Sequence, residues 1–241
     1  MINKEFIEKT EQTEWDFGNE ILYKMCVENF QHKQTDKIIG KVILIGRAYA
    51  AAIERRKNKT EQNDNFYLDK VAPKFKNSDL DIYLNKLKSY SELTEKNIPE
   101  ILKIHFYLTD LIKDLTEQNK RSFSSKYLHF HFPHLFFIYD TRAVKAIGIL
   151  KSKFQYKYKE QINSDGIDKD YASFFYKCFV LKKKLEMEYL RNLTTRHLDN
   201  ILMKVVEQTE EKPTHNTVYN LLLVLAYLRK SSRIFYLVFI C

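Results

Sequence analysis

Only five glycines and four prolines are spread over 241 residues, so little in this chain interrupts a helix. Between those breakers the apolar residues recur at steps of three and four, the spacing that lines one face of a helix. From Thr35 to Lys57, the residues Ile38, Val42, Ile45, Tyr49 and Ile53 follow this rule, and Gly40, Gly46, Ala48 and Ala50 to Ala52 leave room for a neighbour. Trp15 to Phe30 carries a looser stripe of Phe17, Ile21, Tyr23, Met25 and Val27. Asp64 to Phe75 is broken by Pro73, and Asp79 to Leu93 turns Leu80, Tyr83, Leu84 and Leu87 inward. Pro99 stands in the first turn of a longer helix, where a missing N–H does no harm. Its stripe of Ile101, His105, Leu108, Leu111 or Ile112, and Leu115 places this helix at the centre. Thr141 to Lys153, Tyr171 to Leu190, Thr195 to Val206 and His215 to Lys230 continue the pattern, with Asn163-Ser-Asp-Gly166 as the clearest loop. No stretch alternates with period two. The pattern predicts a single all-α domain over 1–241, in one body or two packed lobes with a loop near 160–168, of roughly nine to eleven helices at the usual helix length.

Lys and Arg number 40 against 31 Asp and Glu, a formal charge of +9. A clustered excess attracts a polyanion; the same numbers arise when lysines merely solvate helix faces. The strongest basic stretch combines Lys182-Lys183-Lys184 with Lys151, Lys153, Lys157 and Lys159, the expected phosphate track. Glu54-Arg55-Arg56-Lys57 reads as cations gathered at a helix C-terminus. Cys26, Cys178 and Cys241 form no CxxC pair and no metal-ligand spacing, which predicts free thiols in a reducing cytoplasm. The first residues lack the apolar core of a signal peptide, and Ile234 to Cys241 is too short to span a bilayer, so no membrane is expected. The absence of a Walker loop, of GxGxxG and of GxSxG argues against a nucleotide triphosphatase, a dinucleotide enzyme or a common hydrolase, and no cofactor is expected.

The chemistry-bearing stretch runs from Arg121 to Ala143. Lys126 sits in a small-residue turn expected to open a short helix, and Asp140 begins another after Pro133 and the run Leu135 to Tyr139. An amine that attacks carbon must lose its proton, which desolvation and nearby positive potential favour. Phe123, Tyr127, Leu128 and Phe130 would dry the amine, and helix N-terminal amides would add the potential. A carboxylate facing it stabilises a sugar ring that becomes cationic as its base departs. Two structural readings stand beside this one: Asp140 is a good N-cap, and Lys126 fits a surface lysine with a snorkelling stem.

Ser122-Phe-Ser-Ser-Lys126 followed by Phe137-Ile-Tyr-Asp140-Thr-Arg-Ala143 resembles the helix-hairpin-helix DNA glycosylase superfamily, in particular its 8-oxoguanine DNA glycosylase-like branch, over residues 120–145. In that superfamily a lysine after a hairpin precedes a helix, and a Pro-Val-Asp-Val-His-like segment supplies an aspartate. The resemblance implies a helix-hairpin-helix glycosylase-like fold and a glycosylase with lyase activity in DNA repair, with Lys126 as nucleophile and Asp140 as catalytic aspartate. The family's hairpin is glycine-rich and grips a DNA phosphate through backbone amides; here the corresponding stretch, Asn119-Lys-Arg-Ser-Phe-Ser-Ser125, has no glycine. Lys120, Arg121, Ser122, Ser124, Ser125 and Arg142 are the expected phosphate contacts, and Phe123, Tyr127, His129 and Tyr139 the expected walls for an extruded base.

His129, His131 and His134 do not share a helix face and have no Cys or Glu at ligand spacing, so no metal is expected. Trp15 is expected as a core anchor. Arg47, on an apolar helix, needs an acidic or phosphate partner, with Asp16 and Glu54 the candidates. The competing function is a non-catalytic glycosylase-like module that binds nucleic acid or a protein partner, for example in a bacterial antiviral defence locus.

Overall fold

The spacing delivers what it predicts: the computed structural model, which describes residues 2–55, 65–150 and 157–210, holds eleven α-helices, one π-helical turn and, among those residues, no strand. In chain order they are α1 (Lys4–Lys9), α2 (Glu14–Glu28), α3 (Thr35–Ala48), the π-helical turn Phe66–Val71, α4 (Ala72–Lys76), α5 (Leu80–Leu87), α6 (Ile98–Thr116), α7 (Arg121–His131), α8 (Thr141–Ile149), α9 (Lys159–Ile162), α10 (Lys169–Tyr189) and α11 (Thr195–Glu210). One compact unit covers Met1–Met203 and a second covers Lys204–Cys241, the latter described only through the end of α11. Expectations for Arg56, Lys57, Asp64, Lys151, Lys153, the helix His215 to Lys230, the end Ile234 to Cys241 and the thiol of Cys241 lie outside the described residues. No described helix is long and apolar enough to cross a membrane.

The centre of the first unit is α7. Every residue from Phe123 to Phe132 is buried, and α2, α3 and α6 pack around the helix. The stripe of α6 is inward as expected, with Ile101, His105, Leu108 and Ile112 fully buried, but this helix is one wall around α7. The burial of α7 corrects two expectations at once. Lys126 is the sixth residue of α7, beyond the first-turn amides expected to raise its potential, and it is no surface lysine, being 3% exposed.

Other departures lie mostly at helix ends. The helix expected from Thr35 to Lys57 stops at Ala48, where Ala51 N–H bonds the Gly46 carbonyl at 2.7 Å, Ala50 N–H bonds that of Arg47 at 3.3 Å, and Ala50 takes a positive φ of 50°. That hydrogen-bond pair closes a helix C-terminus in a Schellman turn. Gly46 permits the fold-back: a Cβ there would stand 3.2 Å from Ala52 Cα and 3.6 Å from the Phe123 ring. Arg47 is therefore exposed, paired with Glu54 at 3.2 Å, not buried. Pro73 does not break its helix but sits in the first turn of α4, and the π-helical turn ahead of it closes through Ala72 N–H on the Tyr67 carbonyl. The wider turn shifts the ladder just before a residue with no N–H to donate.

Trp15 is 69% exposed and Phe17 and Ile21 each 68%, against the expectation of a core tryptophan. The inward face of α2 is Asn19, Leu22 and Cys26. Its first turn is oriented by Asp16, which bonds the Thr13 amide at 2.8 Å and Arg196 at 2.6 Å, and this orientation leaves Trp15 outside.

Glycine is so scarce that helix ends needing a left-handed residue take others: Ala50, Glu117 (φ 55°) and Leu190 (φ 49°). The αL conformation costs a residue with a Cβ about 1–2 kcal/mol, and Leu190 is 92% exposed, so its side chain returns little packing. Leu190→Gly is expected to raise stability by up to about 1 kcal/mol. The check is a higher denaturant midpoint at unchanged slope, with Leu190→Ala giving no comparable gain.

Candidate active site around Lys126

Lys126 donates to Ser122 Oγ one helical turn back at 2.8 Å and to the Tyr49 carbonyl at 3.3 Å, and its amine lies 5.7 Å from the Tyr49 ring centre. Tyr49 arrives there because the Schellman turn ends α3 immediately beside it. Burial lowers the proton affinity of the amine below the ordinary lysine range, while the charges of Asp140 and Asp199 pull it back up. Asp140 is half-buried and caps α8, one oxygen accepting from Ala143 N–H at 2.8 Å. Capping and proximity to Lys126 thus hold together. Among the described residues no ion pair closes between this amine and either carboxylate; the groups act on one another across a gap.

Sequence reasoning missed Asp199. It lies on α11, 6% exposed, and one of its carboxylate oxygens has no hydrogen-bond partner. The other accepts from Arg196, which also bonds Asp16 at 2.6 Å, and Asn200 reaches the second oxygen of Asp16 at 3.2 Å. Burial, reinforced by Asp140, pushes the Asp199 carboxyl up to about 6, against the opposing pull of Arg196 and Lys126. Tyr49 OH donates to Asn19 Oδ1 at 2.7 Å, and Tyr23 OH to His129 Nε2 at 2.7 Å, while His129 Nδ1–H donates to the Phe136 carbonyl at 2.8 Å. Residues 30 to 184 positions apart therefore build one polar interior. One signal was available: Arg196 and Asp199 interrupt an apolar stripe of Leu198, Ile201 and Leu202 that the structure buries.

Most of the expected phosphate contacts are engaged inside the chain. Arg121 holds Asp168 at 2.7 Å and Asp170 at 2.8 Å, and Lys120 bonds the Arg55 carbonyl at 2.9 Å. Ser124 and Ser125 are fully buried and bond the carbonyls of Lys120 and Ser122, so they cannot present hydroxyls to a phosphate; Ser122 is the acceptor for Lys126. Arg142 is exposed on α8. In the basic stretch, Lys182 and Lys183 both pair with Glu186 and Lys157 pairs with Glu95, whereas Lys159 and Lys184 are exposed.

Of the expected base walls, Phe123, Tyr127 and His129 are core residues. Tyr139 does line a cleft, of about 300 Å³, with Val144, Ile147, Phe174, Asp170 and Lys177. Its ring meets Phe174 at 5.1 Å, whereas Asp140, the next residue in extended backbone, acts on Lys126. Successive side chains of an extended segment point oppositely, so the cleft and the amine lie on opposite sides of it.

A second buried network also escaped the sequence. Lys41, fully buried, donates to the carbonyls of Asn29 and Phe30 at 2.7 and 3.2 Å and approaches Nε2 of His32 and of His131 at 3.3 Å each. Tyr127 OH donates to His32 Nε2 at 2.6 Å, and His32 Nδ1 bonds Asp81 at 2.6 Å. Burial pushes the Lys41 ammonium down to about 8. His131 Nδ1–H donates to the Tyr127 carbonyl at 2.7 Å and His134 Nε2 to that of Tyr90 at 2.8 Å. Among the described residues no metal-holding cluster of His, Cys, Asp and Glu forms.

Burial pushes His105 and His129 down to about 4, His131 well down, and lowers His32 and His197. Between about pH 6.5 and about pH 4 the unfolded chain binds protons that the folded chain refuses, so stability falls as pH drops through that window. Asp199, raised, acts in the opposite sense, as one group against five. Thermal unfolding at constant ionic strength is expected to show a Tm that declines steadily across that window, with a shallower decline in His129→Gln; a flat profile contradicts the buried neutral imidazoles. Comparison with family models, with curated proteins and with solved structures finds no match to this chain.

Proposed function

We propose that this chain is a DNA-binding protein of the helix-hairpin-helix glycosylase-like kind, which removes a modified base with Lys126 as nucleophile and Asp140 as electrostatic partner. The observation that carries the reading is the dry setting of the Lys126 amine: burial favours its neutral, nucleophilic form, and Asp140 stands within electrostatic reach without neutralising it in an ion pair. Attack on C1′ of the sugar expels the base, and the carboxylate offsets the positive charge that develops on the ring. For the amine to reach that carbon, the hydrogen bonds to Ser122 Oγ and the Tyr49 carbonyl must open.

That same enclosure favours a second reading, a non-catalytic module of this scaffold that holds nucleic acid or a protein partner. Here Lys126 fastens α7 to the turn after α3, Arg196 ties α11 to Asp16 of α2, and the double ion pair of Arg121 is purely structural.

Incubating the protein with duplexes carrying oxidised or otherwise modified bases, in the presence of borohydride, separates the two. The glycosylase reading expects a covalent adduct that Lys126→Gln abolishes and that forms roughly a hundredfold more slowly in Asp140→Asn, the usual cost of losing one electrostatic stabiliser. No adduct across the panel, together with salt-dependent DNA affinity unchanged in Asp140→Asn, establishes the module instead.

A further inference from the structure

We propose that the outward face of α2, centred on Ile21 and flanked by Trp15 and Phe17, is a docking surface for a basic amphipathic helix of a protein partner. The inference goes beyond the glycosylase reading and holds whether or not Lys126 is a nucleophile, because Phe17 and Ile21 point away from the buried Asn19, Leu22 and Cys26 by which α2 joins the core.

Single apolar side chains on a surface need no explanation; a contiguous set on one helix does. Phe17, Ile21 and the half-buried Met25 follow one another at steps of four, and Trp15, Gly18 and Ile21 at steps of three. The two rows cross at Ile21, and rows of these two pitches are the ridges by which helices pack on one another. Gly18 adds no side chain to its row, and a Cβ there would meet nothing within 4 Å. The gap between Trp15 and Ile21 is a hole for one side chain of an opposing helix. The face is also held ready. Asp16 accepts from the Thr13 amide and hydroxyl at 2.8 and 3.1 Å and from Arg196 and Asn200 on α11 at 2.6 and 3.2 Å. The first turn of α2 is thereby fixed with its tryptophan outside, so docking has little loose structure to order.

Charge selects the occupant. The chain as a whole is +9, yet α2 carries Glu14, Asp16, Glu20 and Glu28 against a single lysine, Lys24, which lies 3.8 Å from Glu28. Glu14 and Glu20 are exposed and close no ion pair among the described residues, so a negative rim borders the apolar rows. A nucleic-acid backbone or an anionic lipid surface is repelled from such a rim. A second copy presenting the same face brings acid against acid, since a two-fold interface joins one patch to itself. A helix whose apolar stripe is flanked by lysine or arginine answers both features: the stripe enters the rows and the cations reach Glu14 and Glu20.

Trp15 is the only tryptophan of the chain, so its fluorescence reports on this face alone. The probe is a synthetic peptide of leucine and lysine in helical period, added to the full chain. Tryptophan emission is expected to move to shorter wavelength and to lose its quenching by acrylamide, saturably. Ile21→Asp, at an exposed position, is expected to weaken binding roughly thirtyfold, the loss that a central interface residue brings. Glu14→Lys combined with Glu20→Lys is expected to weaken it and to remove its dependence on salt. A peptide of leucine and glutamate with the same period is expected to leave the emission unchanged. No shift with the lysine peptide, or an equal shift with both peptides, overturns the inference. So does emission already shielded from acrylamide in the free chain at every dilution, which means that the chain covers its own tryptophan. A shift on concentrating the protein alone assigns the face to a second copy, and a shift with anionic vesicles in place of the peptide assigns it to a membrane; either result overturns the basic helix. Where circular dichroism shows that Ile21→Asp does not fold, the discrimination between the two peptides by the parent chain decides.

Discussion

The enclosure of α7 on every side sets the terms for the rest of the structure. A helix buried all round is ordinarily apolar all round, yet this one carries Ser122, Lys126, His129, Tyr127 and His131. A buried polar group without a partner costs roughly 1–3 kcal/mol, so neighbouring helices must bring acceptors and donors to it. They do so along two rows. Ser122, Lys126 and His129, at steps of four and three, meet Tyr49 and Tyr23. Tyr127 and His131, four apart, meet His32 and Lys41. Both rows are polar ladders on a helix that has no solvent face to place them on.

This explains what could be seen in the sequence. Helices announce themselves locally, and α2, α6, α8, α10 and α11 stand close to where the three- and four-residue spacing puts them. Their ends are another matter. Ala50, Glu117 and Leu190 carry left-handed turns that glycine normally marks, so the end of α3 was hidden behind residues that look like helix formers. Trp15 misled for a related reason: which face of α2 turns inward is settled by Asp16 and its partner Arg196, far away in the chain.

The candidate site divides in the same way. Lys126 and Asp140 were legible because a short motif carries both. Asp199, Arg196, Tyr49 and Asn19 were not, because nothing local ties residues from α2, α3 and α11 to the middle of α7. Conversely, Ser124 and Ser125 looked like phosphate ligands only while α7 was imagined to start at Lys126. Once the helix begins at Arg121, both hydroxyls point into the packed interior and bond their own backbone. A shift of one helical turn converted expected ligand contacts into internal ones.

The turn after α3 carries one more implication. Lys126 takes one of its two acceptors from the backbone of Tyr49, so replacing the tyrosine side chain alters the ring above the amine but leaves that acceptor in place. What positions the carbonyl is the bend between Gly46 and Ala52, where a Cβ at Gly46 would crowd Ala52 Cα at 3.2 Å and touch the Phe123 ring at 3.6 Å. The chemistry of the lysine is thereby coupled to a residue that never touches it. Any change that added bulk at Gly46 would act on the amine through chain geometry alone, an influence that inspection of the side chains around Lys126 does not reveal.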